Sequence, residues 1–141
     1  MKIMAVLALL LGVMAILSPS VSHRDDHAPA ARTIALNYAV YRNAAFLYAL
    51  KHKPGGTISQ AVLELPDGWH ALRAWSARVE GGYCYVYGPA SAEEIAAAWE
   101  LFQGSFAVGR AENGRLMPDG LTPLPAFVPA GSLASVVEVR P

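Results

Sequence analysis

The sequence predicts an α+β domain, with a mostly antiparallel sheet packed on an aromatic-rich helix, behind a hydrophobic N-terminal helix. Three observations carry that prediction. Residues 3–17 form an uncharged apolar run, residues 33–52 place apolar side chains at three- and four-residue spacings, and from Trp69 onward the period drops to two between glycine-based turns. Strands that follow and surround a few helices without regular alternation point to α+β architecture. A chain of 141 residues holds one such domain plus a targeting segment.

The run from Ile3 to Leu17, IMAVLALLLGVMAIL, follows Lys2. Fifteen apolar residues match a signal-peptide core and fall short of the ~20 that span a bilayer unaided. Residues 1–22 therefore have two readings. One is a cleaved signal, with Ser18, Ser20 and Ser22 as small residues near the cut; the other is a retained anchor, with Pro19 and the charged HRDD marking its exit. In both, Lys2 stays cytoplasmic and the rest of the chain faces the periplasm. No cysteine stands at the end of the run for acylation, and the glycine, apolar residue and glutamate that prepilin peptidase needs are missing.

Residues 23–32, with Pro29 and mixed charge, read as a linker, and 33–141 as the periplasmic domain. Thr33 is a plausible helix cap. Ile34, Tyr38, Tyr41, Ala45 and Tyr48 then share one face, while Leu36, Val40, Leu47 and Leu50 widen the apolar sector, so this helix should pack on more than one side. Pro54-Gly55-Gly56 ends it. A short helix is expected over 59–64. The alternation in WHALRAWSARV predicts a strand over 69–79, turned at Glu80-Gly81-Gly82 into a second strand, YCYVY. Ser91 and Glu94 have capping-box spacing, Ile95, Ala98, Trp99 and Phe102 form the buried face of the helix that follows, and Gly104 is placed to cap its end. Asn113-Gly114 is a type I′ hairpin signal between two further strands. A proline-rich loop from Pro118 to Pro129 precedes a last strand over 134–139. A helix laid on such a sheet is also the general plan of pilin-like folds.

Eleven basic residues balance eleven acidic ones, and no basic run offers a surface for phosphates, which argues against a nucleic-acid partner. Cys84 is the only cysteine, so no internal disulfide can form, and its alternation with Tyr83 and Tyr85 beside Val86 fits a buried thiol. His23 and His27 flank Asp25 and Asp26, but a linker position with no completing ligands favours solvated charge over a metal site. Glu93 and Glu94 are accounted for as helix-start residues. There is no nucleophile elbow and no phosphate-binding glycine loop. The expectation is a chain with no catalytic, metal or cofactor-binding residues.

Two aromatic sets stand out instead. Tyr38, Tyr41 and Tyr48 either fill the core or present an interaction face, tyrosine combining a large contact area with a polar tip. Trp69, Trp75, Tyr83, Tyr85 and Tyr87 could build an aromatic ligand pocket, the alternative function being a cleaved, soluble periplasmic binding module.

The short apolar N-terminus, NYAVYRNAAFLYALKH at 37–52, the Leu65-Pro66-Asp67-Gly68-Trp69 turn, YCYVYG at 83–88 and Pro129-Ala130-Gly131 occur in an order and spacing that resembles the PilM family of conjugative, R64-type type IV thin-pilus systems. This family is distinct from the larger actin-like cytoplasmic protein that shares the name. The resemblance implies a non-enzymatic inner-membrane component of thin-pilus biogenesis, anchored by Ile3–Leu17, with other pilus assembly or pilin proteins as partners. It carries no catalytic residues over to this chain. Contact would run through the tyrosine-bearing helix or an open sheet edge at 134–139.

Overall fold

The computed structural model describes residues 27–140. The apolar run at Ile3–Leu17 and the first residues of the expected linker lie outside them. Two helices and seven strands follow in the order α1 (His27–His52), β1 (Gly56–Ile58), β2 (Ser76–Glu80), β3 (Tyr83–Gly88), α2 (Ala92–Leu101), β4 (Val108–Glu112), β5 (Arg115–Met117), β6 (Thr122–Pro123) and β7 (Leu133–Glu138). The α+β class with an antiparallel sheet is as the sequence predicts.

Helix α1 begins six residues before Thr33, inside the expected linker. Pro29 falls in its first turn, where a missing N–H has no helical partner to lose. Thr33 is no cap: its hydroxyl donates to the Pro29 carbonyl at 3.0 Å. At 26 residues α1 is about 39 Å long.

All strand pairs are antiparallel, in the spatial order β1-β2-β3-β7-β4-β5-β6. The last strand in the chain therefore occupies the middle of the sheet, pairing Tyr85 with Val136 on one side and Val108 with Ser135 on the other. That corrects the expected open edge at 134–139. The edges are β1 and β6, only three and two residues long, and β6 ends in Pro123, features that resist further strand pairing.

Both helices lie against one sheet face. Ala35, Tyr38, Tyr41, Ala45 and Ala49 of α1 pack with Ala77, Val79, Cys84, Val86, Val108 and Leu133 from the sheet and Ile95 and Ala98 from α2. On the opposite face, the loop after β6 brings Leu124, Phe127 and Val128 against Tyr83, Tyr85, Tyr87, Ala134 and Val136.

Several local expectations hold. Gly81 and Gly82 have positive φ and pair Glu80 with Tyr83 across the turn. Asn113 and Gly114, at φ 52° and 71°, close the second hairpin. Ser91 and Glu94 form the capping box, each side chain accepting from the other's backbone N–H. The cap at the far end of α2 is displaced by one residue. Gln103 takes the left-handed conformation, its N–H bonding the Glu100 carbonyl while Gly104 N–H bonds Trp99, the Schellman arrangement.

Two expectations do not hold. The helix over 59–64 is a single 3-10 turn, Gln60–Val62, too short a stretch to repay helix nucleation. The strand over 69–79 forms only from Ser76. Residues 69–75 are irregular because their polar groups bond a side chain in place of a strand: Asn37 donates to the His70 carbonyl at 2.9 Å and accepts from Leu72 N–H at 3.0 Å and Trp75 Nε1–H at 2.8 Å.

Candidate docking face on helix α1

Tyr38 is 0% and Tyr41 1% exposed, which removes both from any interaction face. Tyr38 donates its hydroxyl proton to the Val86 carbonyl at 2.9 Å, so the hydroxyl of Ser135, 2.6 Å away, is the donor to Tyr38. One phenol thus joins α1 to β3 and β7, and burial raises its pKa. Tyr41 stacks on Trp69 with ring centroids 6.1 Å apart. Tyr48 is half-buried and lies against His52 at 4.5 Å. The physical reason is position: 38 and 41 sit on the turn of helix that meets the sheet.

The five-residue aromatic pocket is corrected as well. Trp75 is buried on the helix side, edge-on to Tyr38 at 5.0 Å, whereas Tyr83, Tyr85 and Tyr87 project from the other face toward Phe127. Odd-numbered residues of β3 cannot share a face with Cys84 and Val86, which point at α1. Arg78 lies over the Phe127 ring at 4.5 Å and Arg140 over Tyr83 at 5.1 Å, covering aromatic surface that a ligand would need. A shallow cleft of about 440 Å³ near Pro89 and Gly131 is bordered by only one of the five, Tyr87. Among the described residues no group of three His, Cys, Asp or Glu could hold a metal ion.

What remains exposed on α1 is the side opposite the core. Leu36, Leu47 and Leu50 are 47%, 68% and 49% exposed, with half-buried Val40 and exposed Asn43 between them. Positions 36, 40, 43, 47 and 50 recur at four, three, four and three residues, so they form one stripe about 21 Å long. Arg32 and Lys51 extend it at either end, and the helix contains no acidic residue. Leu36, Val40, Leu47 and Leu50 are the positions that widen the apolar sector in the sequence, and Tyr38 and Tyr41 lie on the opposite, core-facing side of the same helix.

The stripe's helix is tied to the rest of the domain by side-chain contacts. The Arg42 guanidinium is held between the Phe46 ring at 4.5 Å and the Phe102 ring at 4.4 Å, tying α1 to α2. Its burial lowers its pKa, and Nε has no hydrogen-bond partner among the described residues. Glu94 at the start of α2 bonds Arg73 at 2.5 Å as well as Ser91 N–H, fixing the 69–75 segment from a second side.

The fold and face together define a small α+β domain with two helices on an antiparallel sheet and an apolar ridge left exposed among the described residues. The PilM family model matches residues 5–136, so the chain belongs to the PilM family, as the resemblance of its motifs implied. A solved structure of similar fold is the crystal structure of a protein called PilM from Escherichia coli B7A. It is 26% identical, with a TM-score of 0.60 over 86% of this chain and 100% of that one. No curated protein matches. Family membership associates the chain with a pilus system.

Proposed function

We propose that the chain is a non-enzymatic component of a type IV thin-pilus biogenesis apparatus that supports conjugation. Ile3–Leu17 holds it in the inner membrane as a single span, and the periplasmic domain docks on other pilus assembly or pilin proteins. A membrane helix leading to α1 on its sheet would give a broadly pilin-like plan. The observation that carries the docking role is the leucine stripe at 36, 47 and 50, exposed on a helix whose other side is fully packed. The apolar run and the family support the tether and the system.

The test is complementation in a cell whose thin pili depend on this chain. Leu47→Asp, at the most exposed position, should leave the domain folded and lower piliation at least tenfold. Normal piliation with Leu36→Asp and Leu47→Asp combined would sink the docking role. Carbonate extraction reports separately on the tether: the full chain should stay with the membrane, and release of a shortened soluble product would assign residues 1–22 to a cleaved signal.

A further inference from the structure

We propose that the occupant of the α1 stripe is the same stripe on a second copy of this chain, the two helices running parallel about a two-fold axis. The inference rests on the docking role proposed above and names its partner. Four observations favour it. The spacing of 36, 40, 43, 47 and 50 is that of a coiled-coil seam, with Val40 and Leu47 at the a positions and Leu36, Asn43 and Leu50 at the d positions. Asn43 lies at the midpoint of an otherwise apolar ridge and has only a 3.4 Å contact with Arg42. About a two-fold axis along the helices it meets its own copy, where the amide oxygen of one side chain can accept from the amide N–H of the other. Of the flanking positions, Ala39 and Ala44 face each other across the parallel pair and are small enough to admit a second helix, while the same pairing places Arg32 opposite Asn37 and Lys51 opposite Phe46, with no like-charge contact.

The fourth observation is where the remaining chain leaves. Residues 1–26, with their apolar run, all precede the N-terminal end of α1. Two copies tethered through that end meet side by side and parallel. The shared membrane raises their effective concentration, which lets a seam of only two heptads associate.

The experiment uses the full-length chain in membranes, with Cys84→Ala removing the native thiol. Single cysteines are introduced at Leu36, Asn43 or Leu50, and at Glu112 as an exposed control on the sheet. On mild oxidation a parallel two-fold pair gives disulfide dimers at all three seam positions and none at Glu112. Because 43 is the midpoint of 36 and 50, an antiparallel pair crosslinks at Asn43 alone, which overturns the parallel arrangement. No seam crosslink overturns the second copy altogether. In that case, lost piliation in Leu47→Asp assigns the face to a different protein and leaves the docking role standing, while normal piliation removes both. If Leu36→Cys fails to fold, Val40→Cys replaces it as the off-centre position.

Discussion

At the scale of single residues, Asn37 substitutes for missing secondary structure along residues 69–75. Asn37→Ala strands the His70 carbonyl, the Leu72 N–H and the Trp75 indole N–H. The Leu72 and Trp75 donors are part-buried and cost about 1 kcal/mol each when left without partners, whereas the exposed His70 carbonyl turns to water, so a total loss of about 2 kcal/mol is expected in urea unfolding followed by tryptophan fluorescence. Asn37→Asp keeps the acceptor and should cost less. Gly109 is a different kind of constraint: a Cβ there would overlap the Met117 carbonyl oxygen of the paired strand. Gly109→Ala should therefore cost about 2–3 kcal/mol, seen as a lower urea midpoint.

The buried titratable groups predict an alkaline limit. Burial pushes the Cys84 thiol and the Tyr41 phenol up to about 12 and raises Tyr38. The folded state keeps these protons where the unfolded chain has lost them, so their contribution is complete below pH 9. It falls as pH rises through the ordinary thiol and phenol values toward 12, by roughly 1 kcal/mol per pH unit for each group. Cys84→Ala should delay the onset from about pH 9 to about pH 10, the ordinary phenol range, in urea midpoints measured against pH.

At the scale of elements, the joint between α1 and α2 can be tested apart from the sheet. Arg42→Ala removes a guanidinium that bridges two rings, and should lower stability by about 1–2 kcal/mol without altering strand content by circular dichroism. Hairpins and caps were legible in the sequence because their chemistry is local: Asn113-Gly114 and the Ser91–Glu94 box each specify a backbone geometry within four residues. The two-residue turn at Gly81-Gly82 also sets Val79 opposite Cys84, which puts the odd-numbered tyrosines across the sheet from Trp75. The aromatic pocket fails on that parity, which the turn residues already encode. Residues 69–75 could not be read this way, because their alternation resembles a strand and the group that diverts them, Asn37, is more than thirty positions away. The docking stripe was visible as a set of leucines, but which side of α1 faces the sheet depends on the sheet.

At the scale of the molecule, β7 decides whether the sheet exists. It joins β1-β2-β3 to β4-β5-β6, two sets whose own pairings are mostly between neighbours in sequence. A chain ending at Ser132 should lose cooperative unfolding altogether, measured by heat or urea, where removal of Arg140 and Pro141 alone should be tolerated.

The same placement sets a clock on biosynthesis. Glu138 at the end of β7 is made fifty residues after Gly88 at the end of β3, a delay of roughly 3–10 s at ordinary rates of elongation. During that interval neither half-sheet has its central neighbour, and the β1-β2-β3 set can pack only on α1. The complete sheet can therefore form only when nearly the last residue of the chain has been made.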